Sequence, residues 1–249
     1  MRGTFFALTG ATALCISTAS YGAVIVDEDF ESYADTAAMA AVWADGPGTL
    51  DATNGYGGSK AFMHDGSTGD NIQGLASVKP TAAENLVLKF KMSNDGDTTD
   101  TYQSVGLRAI PVADPHYLFE VGNVHWVAGT YNARILTFPG SETNWETVSE
   151  AVAPSGWDEF TVTFSLDAIS IDIDFGVDGS NDVAYSVALD GSEWTKGFDE
   201  IRLGPPSGGS SAGDTVYFDD ILLETVAVPE PASLALLGLG GLAMLRRRK

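Results

Sequence analysis

The chain has 249 residues, 34 of them acidic and 13 basic, for a net charge of −21, with 44% hydrophobic and 10% aromatic residues. An acidic balance of this size repels nucleic acid and anionic lipid and attracts cations, which excludes a nucleic-acid-binding role. The apolar share is sufficient for a packed core, and the single cysteine, Cys15, excludes a disulfide within the chain.

Residues 1–23 read as a secretory signal peptide. Arg2 supplies the positive start, and Phe5 to Ile16 is apolar or small without charge. Ser17-Thr18-Ala19 and Ser20-Tyr21-Gly22 then offer small residues for cleavage. Leu14 stands before Cys15 where lipidation wants a small residue, so no lipid anchor is expected. The mature chain would enter an oxidising compartment without a cysteine, and therefore without a Cys nucleophile or Cys metal site. Without Arg2 and the four C-terminal cations, 8 basic residues face 34 acidic ones. Such a surface is soluble and tolerates salt, because screening relieves its self-repulsion.

Residues 24–225 alternate apolar and polar with period 2, the signature of half-buried strands. Asn85–Met92 puts Leu86, Leu88, Phe90 and Met92 on one face and Lys89 and Lys91 on the other. Phe160, Val162, Phe164 and Leu166 repeat the pattern, as does Ile169–Phe175 with Ser170, Asp172 and Asp174 outward. Further strands are expected at Val24–Phe30, Lys60–His64, Gln103–Ile110, Tyr117–Val121, Val124–Ala128, Ala133–Phe138, Thr147–Val152, Val183–Leu189, Glu200–Leu203 and Thr215–Leu223. Turn pairs such as Asn54-Gly55, Asp178-Gly179 and Asp190-Gly191 separate them. A short helix is expected within Asp35–Ala44, with Met39, Val42 and Trp43 inward. A dozen short strands with one buried face predict an all-β domain: a two-sheet antiparallel β-sandwich.

Candidate chemistry is sparse. Asp172 and Asp174 alternate on one strand but lack a glutamate on the same face to complete a glycosidase pair, so they read as a solvated outer face. His64, His116 and His125 show no metal spacing, and no Gly-x-Ser-x-Gly elbow is present. Asp95-Gly-Asp-Thr-Thr-Asp100 opens like a calcium loop but lacks the closing glutamate. Tyr117, His125, Trp126, Tyr131 and Trp145, with Asn132 and Arg134, concentrate aromatic and polar side chains in one third of the chain. Sugar rings stack on aromatics while their hydroxyls need carboxylates and amides, so these residues are the candidate glycan-binding set. Trp43, Trp157 and Trp194 are expected in the core or its lid.

Residues 226–249 hold Pro229-Glu230-Pro231, an uncharged apolar run from Ala232 to Leu245, and Arg246, Arg247, Arg248 and Lys249. The run of 14 residues would span roughly 21 Å as a helix, short of the ~30 Å hydrocarbon core. The prolines fix an extended peptide that a protease or transpeptidase can thread. The terminal cations should stay cytoplasmic. A permanent C-terminal anchor fits the same composition.

This tail resembles the PEP-CTERM sorting signal of Gram-negative bacteria. The resemblance implies processing by an exosortase, with Pro229, Glu230 and Pro231 as recognition point, Arg246, Arg247 and Arg248 as basic end, and transient anchoring in the inner membrane. The opening Val26–Glu31 and closing Asp214–Glu224 segments, with Phe198–Gly204, resemble the paired end strands of jelly-roll carbohydrate-binding modules and concanavalin-like laminin-G domains. That resemblance implies a structural calcium ion where the ends meet, held by Glu31, Asp219 and Asp220. Acids on alternate positions of both end strands would share a face, and a cation would relieve their mutual repulsion. The combined expectation is an exported, non-catalytic cell-surface or extracellular-matrix protein binding an extracellular polysaccharide. The alternatives are a secreted glycoside hydrolase or polysaccharide lyase of concanavalin-like fold, and a structural matrix protein without a ligand.

Overall fold

The computed structural model describes residues 22–94, 102–110, 118–124, 127, 129–136, 143–149, 156–189, 194–205 and 215–228. Residues 1–21 of the expected signal peptide and residues 229–249 of the tail lie outside the described residues. The described strands are β1 (Val24–Glu28), β2 (Thr49–Asp51), β3 (Ala61–His64), β4 (Asn71–Val78), β5 (Glu84–Asn94), β6 (Gln103–Arg108) and β7 (Leu118–Asn123). They continue with β8 (Tyr131–Leu136), β9 (Thr143–Thr147), β10 (Gly156–Phe164), β11 (Ala168–Phe175), β12 (Val183–Ala188), β13 (Phe198–Gly204) and β14 (Val216–Ala227). An eight-stranded sheet runs β12-β11-β10-β5-β14-β3-β2 with β1 added on β14, and a six-stranded sheet runs β4-β13-β6-β7-β8-β9. The pairings are antiparallel, and the two sheets form a β-sandwich.

Period-2 patterning builds both layers. From the eight-stranded sheet, Leu86, Leu88, Phe90, Phe160, Val162, Phe164, Ile169 and Ile171 enter the core. From the six-stranded sheet come Val105, Leu107, Phe119, Val121, Ala133, Ile135, Ile201 and Leu203. Register makes the fit specific: Phe90 pairs with Phe160, and their rings stack 4.6 Å apart at 6°. Phe119 of the six-stranded sheet meets Phe164 of the other edge-on at 5.0 Å. Burying each such side chain contributes about 1.5–3 kcal/mol.

A short helix, α1, spans Thr36–Ala40 because Asp35 caps it, accepting from Ala38 N at 2.9 Å. Met39 and Trp43 are fully buried, whereas Val42, expected inward, is exposed. A helix of five residues is too short to turn all three toward the core. Three strand expectations also change. Where the strand Val124–Ala128 was expected, Val127 N donates to Val124 O at 3.1 Å, and His125, Trp126 and Ala128 lie outside the described residues. β9 spans Thr143–Thr147 and ends where the expected strand Thr147–Val152 was to begin. β4 and β2 were not anticipated; β4 lies at an edge, pairs with β13 and, through Ile72, bridges Ala44, and carries polar residues and Gly74.

Candidate functional site

The outer face of the six-stranded sheet carries a charged lattice whose register follows from the strands. One cross-strand row reads Arg202 on β13, Gly106 on β6, Glu120 on β7 and Arg134 on β8. The next row reads Glu200, Arg108 and Leu118, and a third reads Gly204, Ser104, Gly122 and Asn132. These residues face outward because their alternates, such as Leu107, Phe119, Ala133 and Ile201, fill the core. Every arginine between residues 3 and 245 stands in this lattice.

Glu120 is the centre. Its Oε2 accepts from Arg134 Nε at 2.8 Å and Nη2 at 2.5 Å, and its Oε1 lies 3.4 Å from Arg202 Nη1. Glu200 Oε1 lies 2.5 Å from Arg108 Nη2 and 3.7 Å from Arg202 Nε, and Arg202 Nη2 also pairs with Asp70. Glu120, Glu200 and Arg202 are only 1%, 2% and 6% exposed. Gly106 makes room for this packing, since a Cβ there would come within 3.0 Å of Glu120 Cγ.

Taking such charges out of water costs several kcal/mol per ion, which good pairing offsets only in part. Arg108 Nε and Arg202 Nε are buried without a hydrogen bond.

Trp145 joins this face from β9. Its ring lies 5.2 Å from the Arg134 guanidinium and 6.2 Å, edge-on, from Tyr102. Trp145 is half-buried, and Tyr102 is buried, which pushes its phenol up; Arg134 opposes that rise and Glu120 adds to it. A partly exposed indole beside a guanidinium fixed by a carboxylate combines a stacking surface with polar groups held in place.

Of the expected glycan-binding residues, Trp145 lies on this face, together with Asn132 and Arg134. Tyr117, His125 and Trp126 lie outside the described residues. Tyr131 is a correction: it is fully buried, its ring meets Phe160 edge-on at 4.8 Å, and its hydroxyl donates to Asp158 Oδ2 at 2.6 Å. The alternation Tyr131, Ala133, Ile135 turns it into the core, where no sugar can stack on it. Trp157, expected in the core or its lid, stands half-buried on the outer face of the eight-stranded sheet, because Asp158 and Phe160 take the inward positions. Trp43 and Trp194 are buried as expected.

The acids expected to share a calcium ion are neighbours in the fold, since β1 pairs with β14, but they do not fit a common cation. Glu31 Oε1 accepts from Lys60 N at 2.6 Å, while Lys60 Nζ donates to Glu31 O and Tyr33 O, both at 2.9 Å. Asp219 accepts from Tyr56 N at 2.8 Å, Ser59 Oγ at 2.9 Å and Asp220 N at 2.8 Å. Asp220 Oδ2 holds Lys91 Nζ at 2.5 Å. Backbone donors thus hold the Glu31 and Asp219 carboxylates, and the Lys91 ammonium holds Asp220, where calcium was expected. Among the described residues, no three His, Cys, Asp or Glu side chains converge as a metal site.

The remaining candidates resolve into structural roles. Asp172 accepts from Asn181 Nδ2, and Asp174 accepts from Asp178 N and Gly179 N, closing the turn after β11. His64 is buried, bonded to Gly69 O at 2.8 Å and accepting from Gly66 N at 3.1 Å, and burial holds its pKa down. Asp95–Asp100, His116 and His125 lie outside the described residues. Sequence reasoning missed Glu120, Glu200, Arg108 and Arg202. The alternation Glu200, Ile201, Arg202, Leu203 carried a signal, but only register brings the three arginines together.

Residues 227–249 match the PEP-CTERM protein-sorting motif. A motif of this kind marks a chain for export by way of an exosortase, with its C-terminus anchored in the membrane before processing. No curated protein matches the chain in sequence. Among solved structures it is similar to a conserved carbohydrate esterase from Shiga toxin-encoding bacteriophage phi24B, at 12% identity and TM-score 0.56, covering 82% of this chain and 99% of that one. It is also similar to arcelin-5, a lectin-like defense protein from Phaseolus vulgaris, at 8% identity and TM-score 0.48, covering 74% and 91%. The Ca2+-bound exoplasmic/lumenal domain of VIP36 follows at 10% identity and TM-score 0.48, covering 76% and 85%. At 12% identity the likeness to the esterase is one of fold alone, a β-sandwich.

Proposed function

We propose that this is an exported, non-catalytic glycan-binding protein of the cell surface or extracellular matrix, sorted through its PEP-CTERM tail. The observation that carries the reading is the half-buried Trp145 beside Arg134, itself fixed by buried Glu120. Sugar recognition needs an apolar face for the ring and rigid polar groups for its hydroxyls, and this face presents both. The likeness in fold to a carbohydrate esterase is compatible with glycan contact but supplies no residue roles at 12% identity.

A catalytic reading has one observation in its favour: Glu120 and Glu200 share Arg202 on a single face. A glycosidase needs one carboxylic acid that donates a proton and a second carboxylate free to attack or to activate water. Here both Glu120 oxygens face guanidinium groups, and Glu200 is tied to Arg108 and Arg202.

A glycan array with the purified protein, followed by a reducing-sugar assay on each hit, tests the reading. Binding without release of reducing ends, weakened in Trp145→Ala, is expected; release of reducing ends abolished in Glu120→Gln would establish an enzyme instead. For the tail, mass spectrometry of exported protein should show cleavage near Pro229-Glu230-Pro231 and loss of the apolar run. Exported protein still ending in Lys249 would establish a permanent anchor.

A further inference from the structure

The outer face of the eight-stranded sheet carries an aromatic stripe separate from the charged lattice. Across β10, β5, β14 and β3, register aligns Trp157, Ser93, Tyr217 and Met63 in one row. All four face outward, because Phe160, Met92, Phe218 and Phe62 occupy the alternate, buried positions. Trp157 and Tyr217 are half-buried and two strands apart, roughly 10 Å. The residue between the two rings is the small Ser93.

A third ring is held in place beside them. Tyr56, 37% exposed, meets Trp157 edge-on at 6.2 Å and 81°. Its backbone N donates to the buried Asp219, and Lys91 Nζ sits 4.6 Å over its ring. Lys91 also lies 3.4 Å from Glu159 and 2.5 Å from Asp220, so its charge is matched twice and the rim of the stripe is acidic.

We propose that this stripe is a binding platform for a neutral polysaccharide, with pyranose faces stacked over Trp157 and Tyr217 across Ser93. Glu159 and Asp220 accept hydrogen bonds from its hydroxyls. The charge selects the occupant. An acidic rim on a chain of net charge −21 repels polyuronates, nucleic acid and a second copy of the same chain. A neutral sugar ring offers the apolar C–H face that aromatic rings accept and the hydroxyls that the rim carboxylates need. Two strand spacings match the length of a disaccharide unit, so a linear chain would engage both rings. This site stands independently of the reading of the six-stranded face; if both hold, one molecule would bridge two polysaccharide chains.

The test is a depletion assay of the purified full-length protein on microcrystalline cellulose and on insoluble mannan, with polygalacturonate as the anionic contrast. Retention on at least one neutral polymer is expected, weakened about tenfold in Trp157→Ala and in Tyr217→Ala, a loss of ~1.4 kcal/mol. Tyr217→Phe keeps the ring and should bind as the parent does. Ser93→Arg places a long side chain between the two rings without removing either, and should lose retention at an unchanged melting midpoint. No retention of the parent on either neutral polymer overturns the platform. So does parent-like retention of both alanine variants, or retention lost in Trp145→Ala but kept in Trp157→Ala. The two sites fail separately: an array hit lost in Trp145→Ala reports the six-stranded face, whereas polymer binding lost in Trp157→Ala reports this one.

Discussion

The two outer faces of the sandwich use charge in opposite ways. On the six-stranded sheet, Glu120, Glu200 and Arg202 are almost fully buried and held to one another. On the eight-stranded sheet, Lys91 pairs with Glu159 and Asp220, whose side chains remain 37% and 43% exposed. The first arrangement is rigid and costly to leave incomplete, since a stranded buried ion keeps its desolvation penalty. The second is screened by water and salt, so each pair there contributes little. The comparison separates a face whose polar groups are preorganised from one whose aromatic rings carry the contact surface.

Breaking each face should show this difference in size. Arg202→Met leaves Glu120, Glu200 and Asp70 short of a shared cation and should cost about 3–5 kcal/mol. Lys91→Met removes pairs with two half-exposed acids and should cost about 1 kcal/mol or less. Urea unfolding of both variants beside the parent reads the two losses on one scale. Equal losses would mean that the charged lattice is no more tightly held than a surface pair.

A smaller effect tests the reassignment of Tyr131. Tyr131→Phe removes the hydroxyl that donates to buried Asp158 Oδ2 and should lower stability by about 1–3 kcal/mol. Glycan binding should not change, because the ring lies in the core. A variant of parental stability that loses a glycan would return Tyr131 to the binding set.

The strands that carry the core were legible because both of their neighbours bury one face. β5, β10 and β11 alternate cleanly, and their inward residues are those the period assigned. β4 was not legible, since it lies at the sheet edge, mostly half-buried or exposed, and needs no apolar stripe. The same alternation, applied to Tyr131, Ala133 and Ile135, would have placed Tyr131 inside; its polar neighbours obscured that. Asp219 follows Phe218 into the interior, although neighbours on a regular strand point apart. The register shift between Asp219 and Leu222, with Asp220 at φ 49°, breaks the period there. A bulge of this kind leaves no periodic trace. The charged lattice was legible strand by strand but not as a site, because it joins residues from β6, β7, β8 and β13 through register.

Titration should produce a shallower change. Burial pushes the carboxyl groups of Asp158 and Asp219 above the ordinary aspartate value of 3.8, against the hydrogen bonds that each accepts. The folded chain therefore holds these protons more tightly than the unfolded chain does. Their contribution to stability is greatest below 3.8 and declines as pH rises through the folded-state values. Stability measured from pH 3 upward should fall less steeply in Asp158→Asn than in the parent. An identical slope in the two would mean that Asp158 titrates as an exposed aspartate.

The smallest expected effect is that of calcium on the parent protein. A cation bound only by the folded state would add about 2.7 kcal/mol at a hundredfold excess over its Kd, which a thermal melt would register. Lys60 Nζ already lies on the Glu31 and Tyr33 carbonyls, and Lys91 Nζ on Asp220. Millimolar calcium, and then chelator, should therefore leave the parent midpoint unchanged. Removing these ammonium groups sharpens the comparison: Lys60→Gln with Lys91→Gln takes one cation from the Glu31 and Tyr33 carbonyls and one from the Asp220 carboxylate. Like charges brought together in this way favour a hard cation with oxygen ligands. The double variant should melt below the parent and recover part of the loss in calcium. A calcium-dependent rise in the parent would show instead that the ion displaces the lysines, and that the ends of the chain are joined by metal rather than by Lys60 and Lys91.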